Sequence, residues 1–168
     1  DPLGDYDPSL TFSINGEGSV RLGQLAKQAG VKRFAYASSC SNYGASPSSF
    51  IDESGAFAPV TPYGQSKVDA EAGLTVLADD NFSPTFLRAS TAYGLSPRLR
   101  FDLVVNNLTA WSVASGQVRM KSDGTPWRPI VHVADIALAY ICVIEAERDL
   151  VHNAAFNVGT TNENFQIR

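Results

Sequence analysis

The sequence predicts an α/β fold built on a parallel sheet, and three observations carry that expectation. Segments with helical periodicity alternate with short apolar runs along nearly the whole chain. The apolar runs are close to continuous rather than alternating, which is the pattern of parallel strands covered on both faces. Glycine, proline and serine clusters separate the segments, where turns and helix ends need them.

Taken in order, the first ten residues hold Pro2, Gly4 and Pro8 and read as loop. A helix is predicted from about Gly18 to Ala29, with Val20, Leu22, Leu25, Ala26 and Ala29 toward the core and Gly30 as its stop. VKRFAYASS, residues 31–39, reads as a parallel strand buried on both faces. Residues 41–61 are rich in Ser, Pro, Gly and Ala and read as loop. Pro62 suits the first turn of a helix that runs to about Ala78. PTFLRAST, residues 84–91, is a strand. Phe101 to about Ala114 is helical, with Val104, Val105, Leu108 and Trp111 on one face. QVRM, residues 117–120, and PIVHV, residues 129–133, read as strands. A helix follows from about Ala134 to Glu147, and AAFNVG, residues 154–159, is the last strand.

The totals exclude several classes. A chain of 168 residues, 44% hydrophobic and 18% charged, is an ordinary globular composition of one-domain size. Its net charge of -4 argues against non-specific nucleic-acid binding, which needs a basic surface. No apolar run reaches the roughly 18–20 residues that span a bilayer. The longest, Ile136 to Ile144, runs into Glu145, Glu147 and Arg148. The acidic start, DPLGDYDPSL, does not read as a signal peptide. Cys40 and Cys142 make neither a metal pair nor a disulfide scaffold, so a reducing cytoplasm is expected and no metal site. The chain has no initiator Met and reads as a fragment.

The strongest chemical signal is Tyr63-Gly64-Gln65-Ser66-Lys67. Residues four apart on a helix share a face. A phenol with a pKa near 10 is a poor base at neutral pH, and a neighbouring ammonium lowers that value. Such a pair suits proton transfer to and from a sugar hydroxyl or a ketone. Upstream, a strand ends in Ser38-Ser39-Cys40-Ser41-Asn42-Tyr43-Gly44, at the carboxyl end where ligands of open α/β sheets sit.

VKRFAYASS followed by Tyr43-Gly44, the PYGQSK helix start, LRASTAYG and RPIVHVADIA together resemble the extended short-chain dehydrogenases/reductases. The resemblance is to the NAD-dependent nucleotide-sugar epimerase/dehydratase type, whose members include UDP-galactose 4-epimerase, and it covers essentially the whole chain. It implies a Rossmann-like, doubly wound parallel sheet. It also implies a cofactor-side part over residues 1–98 and a smaller, interleaved substrate-side part over residues 99–168. Ser39 would hydrogen-bond the reacting sugar oxygen, Tyr63 would be the general base and acid, and Lys67 would hold the nicotinamide ribose and depress the Tyr63 pKa. Asn15, Ser38 and Ser90 would lie against NAD, with NADP left open. Arg128 would pair with the substrate diphosphate. The backbone of Asn107 would touch the nucleotide-sugar. Dimerisation through the Tyr63 helix belongs to the same expectation.

Each residue also has a plainer reading. Asn15 could cap a helix, Arg128 could be a surface ion pair, and His132 and Asp135 read as structural. The resemblance implies an acid-base Asp-Glu pair in the 4,6-dehydratases where this chain has Cys40 and Ser41. It implies a Glu in the decarboxylases where this chain has Ser41. Both reactions are therefore disfavoured, and Cys40 sits one position away from the cysteine of some reductase-epimerases. Thr91 stands where the family has Asn. The family's opening strand and G-x-x-G-x-x-G loop, which hold the pyrophosphate, have no counterpart; Gly16 and Gly18 follow no strand. The expected fold is thus a partial sheet lacking its first strands, with roughly 60–90 residues missing at about 30 per βαβ unit. Epimerisation by reversible hydride transfer is the main expectation for the full-length parent. A 4-keto-nucleotide-sugar reductase and a non-catalytic binding or structural module stay open beside it.

Overall fold

A computed structural model of the chain describes residues 4, 6–44, 50–120, 123–125 and 127–166. The first helix starts earlier than the sequence predicts. Asp7 caps α1 (Pro8–Thr11) by accepting the Leu10 amide at 3.0 Å, and Pro8 occupies the first turn, where a missing amide costs nothing. The helix continues through a π-helical turn, Phe12–Glu17, into α2 (Gly18–Gln28). The loop expected over the first ten residues is therefore corrected at Gly4, at Tyr6 and from Pro8 onward, which are helical, while Pro2 lies outside the described residues.

α2 also faces differently from expectation. Leu22 and Leu25, expected in the core, are 59% and 52% exposed. Gly23 is the buried position, and a Cβ there would lie 2.3 Å from Leu74 Cδ2. The helix approaches its neighbour through the residue with no side chain. Lys27, one turn further on, donates to the Leu77 carbonyl at 2.7 Å from the same stripe.

The remaining elements are β1 (Arg33–Ser39), a 3₁₀ turn at Cys40–Tyr43, α3 (Pro62–Thr75), β2 (Ser83–Ala89) and β3 (Thr91–Tyr93). They are followed by α4 (Val104–Ser115), β4 (Trp127–His132), α5 (Val133–Glu145), α6 (Arg148–Val151), β5 (Ala154–Val158) and β6 (Asn164–Gln166). β1, β2 and β5 form a parallel sheet in the order β1-β2-β5. β2 is central and buried along nearly its whole length, as a parallel strand should be. Among the described residues β1 pairs only with β2, so it is less covered than expected, and Ala37 is exposed.

A second small sheet pairs β3 parallel and β6 antiparallel to β4. The apolar run 84–91 therefore splits at Ser90 between two sheets. QVRM is not a strand: residues 117–120 are exposed and unpaired, because four residues with strand propensity do not hold a strand without a partner. β6 and α6 fall where no element was expected.

Alternation along β2 builds a core on each face of the first sheet. Phe86 packs with Tyr36, Ala70 and Leu74 beneath α3. Leu87 packs with Val131, Val143, Val151 and Val158 beneath α5. Helices thus cover both faces, which is the doubly wound arrangement. No helix among the described residues is long and apolar enough to cross a membrane.

Candidate active site

The site forms where β1 ends against the first turn of α3. Thr61 caps α3 by accepting the Gly64 amide at 3.1 Å, and Pro62 follows in the first turn. A Cβ on Gly64 would lie 2.8 Å from the Ser41 carbonyl oxygen. That backbone-to-backbone approach brings Tyr63 to the end of β1. Ser39 caps the following 3₁₀ turn, with its Oγ accepting the Ser41 amide at 3.1 Å.

Tyr63 and Lys67 stand one turn apart and face β1. The Lys67 ammonium donates to the Ala37 carbonyl at 2.8 Å, and lies 4.9 Å from the Tyr36 ring centroid and 5.6 Å from that of Tyr63. Burial lowers the Lys67 pKa. Burial also pushes the Tyr63 phenol above its ordinary value near 10.0, against the opposing influence of the Ser39 hydroxyl; Cys40 adds to the rise and the Arg100 charge resists it. In the protein alone the net direction is upward, because the desolvation of a largely covered phenol is the largest influence on it.

Asn15 lies inside the π-helical turn rather than at a helix start. Its carbonyl accepts the Tyr36 hydroxyl at 3.4 Å, which ties the turn to the tyrosine under Lys67. Burial pushes Tyr36 up to about 12. π-helical turns recur at functional sites. The Ser90 amide donates to Val158 O at 2.9 Å, and a Cβ on Gly159 would lie 2.5 Å from its Oγ. Asn107 spends its side-chain amide on the Phe101 carbonyl at 2.7 Å, fixing the approach to α4. Arg128 is exposed, makes no ion pair among the described residues, and lies within electrostatic reach of Cys40. Burial raises the Cys40 thiol pKa. His132 is structural: its Nδ1 accepts the Ala134 amide at 3.2 Å and caps α5.

Ser38 turns away from this front into a buried polar network that sequence reasoning missed. Its hydroxyl donates to Glu71, which also accepts Asn42 Nδ2 at 2.9 Å and Arg88 Nε at 3.0 Å on the same oxygen. Arg88 Nη2 reaches the other carboxylate oxygen at 2.7 Å. Arg88 Nη1 donates to the Tyr43 hydroxyl at 2.8 Å, and that hydroxyl donates to Asn157 Oδ1 at 2.7 Å. One signal was available: Glu71 follows Lys67 by the spacing at which Lys67 follows Tyr63. Arg100, beside Tyr63 and bonded to Asp102 at 3.0 Å through Nε, was also missed. A cavity of about 550 Å³ lies on the opposite face of the sheet, lined by Leu87, Val131, Val143, Phe156 and Val158. It does not include the Ser39, Tyr63 and Lys67 side chains.

The profile of the NAD dependent epimerase/dehydratase family matches residues 3–159. The chain belongs to this family. Among curated family members, the UDP-glucose 4-epimerase of Bacillus subtilis is 30% identical over 95% of the chain and 50% of its own length. The chain spans about half the length of the curated relatives it matches. Among solved structures, MoeE5 in complex with UDP-glucose and NAD is 31% identical with a TM-score of 0.77, over 91% of this chain and 50% of its own. The UDP-glucose 4-epimerase of Thermotoga maritima, with UDP-glucose, is 26% identical with a TM-score of 0.86, over 98% of this chain and 53% of its own. The Rossmann-like fold of the family is thus shared across nearly the whole chain.

Proposed function

We propose that this chain carries the catalytic residues of an NAD-dependent nucleotide-sugar epimerase, working by reversible hydride transfer at a hydroxyl-bearing carbon. The observation that carries the reading is the meeting of Ser39, Tyr63 and Lys67 at the end of β1. The donor set fits the nicotinamide-ribose end of NAD. Lys67 has three N–H donors and gives one to Ala37, which leaves two for the ribose hydroxyls. Bound there, NAD would supply the hydride acceptor and donor for the sugar carbon, and the positive charge of its oxidised ring would favour the Tyr63 phenolate.

Tyr63 takes the proton of the sugar hydroxyl and later returns it, and Ser39 hydrogen-bonds the same oxygen. Arg128, exposed and free of ion pairs among the described residues, suits the substrate diphosphate. Asn107 holds the chain at Phe101, where a nucleotide-sugar would lie along α4. Asn15 and Ser90 border the cofactor side, and Ser38 contributes there through its backbone, since its hydroxyl is held by Glu71. Cys40, with its thiol pKa raised by burial, offers no acid-base pair for dehydration. In this reading the cofactor side spans residues 1–98 and the substrate side residues 99–168. The protein is cytoplasmic and dimerises through the Tyr63 helix and the helical segment before it, where Ile14 of the π-helical turn and Leu22 and Leu25 of α2 are exposed.

The test is titration calorimetry of NAD against the chain, followed by a coupled assay on UDP-glucose and UDP-galactose. Binding that Lys67→Ala abolishes, with interconversion of the two sugars, supports the reading. Binding without interconversion of either sugar removes the 4-epimerase assignment. A chain that binds no NAD, alone or joined to an upstream glycine-rich segment, overturns the reading.

A further inference from the structure

Tyr63, Lys67 and Glu71 occupy positions i, i+4 and i+8 of α3, so one stripe of the helix faces β1 over two turns. They meet three consecutive residues of that strand: Tyr63 faces Ser39, Lys67 binds the Ala37 carbonyl, and Glu71 binds the Ser38 hydroxyl. Glu71 also binds Asn42, so the residues one before and three after Ser39 are tied to a single carboxylate. That carboxylate is held in turn. Ser38, Arg88 and Asn157 are register partners across β1, β2 and β5, and so form one row on the α3 face of the sheet. Arg88 grips Glu71 through two nitrogens, and both side chains are 7% exposed.

We infer that Glu71, fixed by Arg88, is a positioning residue that sets the approach of the Ser39 hydroxyl to the Tyr63 phenol. The inference rests on the reading of Ser39 and Tyr63 as the reacting pair. The carboxylate is needed as such. One oxygen takes three donors and the other takes the guanidinium. Glutamine would turn an N–H donor either toward Arg88 or toward Ser38 and Asn42. The strand end would then be released on one side of Ser39 or on both.

The test follows the phenol itself and needs neither cofactor nor sugar. Difluorotyrosine in place of Tyr63 brings the titration into an accessible range, and ¹⁹F NMR reads its midpoint in the full chain. The groups that bear on the phenol are Ser39, Cys40 and Arg100, the Lys67 ammonium 5.6 Å from the ring, and Tyr36 and Tyr140 beyond. Removing a negative charge by Glu71→Gln would, as a field effect alone, lower the midpoint. Loss of the Ser39 interaction would raise it, by about half to one pH unit for one net hydrogen bond. The expected result is a rise that disappears when Glu71→Gln is made in a Ser39→Ala background. A lowered or unchanged midpoint, or an equal rise without Ser39, overturns the inference. Should Glu71→Gln not fold, Ser38→Ala removes one anchor and keeps the ion pair, and the same rise or its absence decides. Failure of the epimerase reading would show separately, as absent turnover with the Ser39–Tyr63 coupling intact.

Discussion

Removing Arg88 should be among the most damaging single changes available in this fold. Its side chain is 7% exposed and makes two bonds to Glu71, one to the Tyr43 hydroxyl at 2.8 Å and one to the Glu53 carbonyl at 3.0 Å. The guanidinium also lies 4.6 Å from the Phe57 ring centroid, so it fastens the segment between β1 and α3 to the sheet. Arg88→Met keeps much of the apolar stem and deletes the charge. Glu71, also 7% exposed, then keeps only Ser38 and Asn42 as donors to a buried carboxylate. Breaking a buried pair by removing one partner costs about 3–5 kcal/mol. At roughly 2–4 °C per kcal/mol for a chain of this size, the Tm should fall by about 6–20 °C.

Urea unfolding at neutral pH measures the loss, and a second variant tests its cause. In Glu71→Met/Arg88→Met no charge is left unpaired, and apolar replacement of both partners is often close to neutral. The double variant should therefore recover most of the stability lost by Arg88→Met. If Arg88→Met costs less than about 1 kcal/mol, the pair is no more than a surface bridge in effect. If the double variant is as unstable as the single one, the loss comes from packing around Phe57 and Tyr43 rather than from a stranded carboxylate. Either result refutes the argument.

Other outcomes follow from the same geometry. Tyr63→Phe should cut sugar turnover in the NAD-bound protein by about 10²–10⁴-fold with little change in unfolding, as removal of a general acid-base group does; a coupled spectrophotometric assay reads the first and thermal unfolding the second. Gly64→Ala places a methyl 2.8 Å from the Ser41 carbonyl oxygen, a backbone atom that cannot step aside. It should cost about 1–3 kcal/mol in urea unfolding and move Tyr63 off Ser39, with turnover falling alongside. The Lys27 contact, with the Asn81 and Phe82 amides, holds the Asp79 carboxyl below its usual 3.8. A depressed folded pKa gives stability present above the unfolded value and lost as pH falls through the folded one. The Tm deficit of Asp79→Ala should thus be full at pH 7 and close in acid below the usual carboxylate range.

The parts of the site that were legible in the sequence are those written at short range. Pro62, the Tyr63–Lys67 spacing and the serines ending an apolar run each lie within one element, and their periods give a helix face and a strand end directly. The start of α1 was missed for a related reason. Pro8 among other turn residues reads as loop, although Asp7 before it makes proline a helix opener. Apolar residues at helical spacing mark the buried face, which predicts Leu22 and Leu25 inward. The packing instead chose Gly23, since a close helix-to-helix approach needs space more than it needs hydrophobicity.

The polar row beneath the site lies beyond that kind of reading. Ser38, Arg88 and Asn157 come from three strands separated by 50 and 69 residues, and only the register of the sheet makes them neighbours. Nothing local to Arg88 says that its charge will be buried, because its strand reads as apolar on either side and its partner sits on a helix upstream. Glu71 is the exception, since it extends the Tyr63–Lys67 stripe by one more turn. A stripe bearing a phenol, an ammonium and a carboxylate at successive turns can serve solvent or a sheet. What decides between them is the strand opposite, where the Ser39 and Ser38 hydroxyls and the Ala37 carbonyl meet the phenol, the carboxylate and the ammonium. The chemistry at Tyr63 and the polar core at Glu71 are therefore one helix register seen at two depths, and a shift of α3 along β1 could not spare one while losing the other.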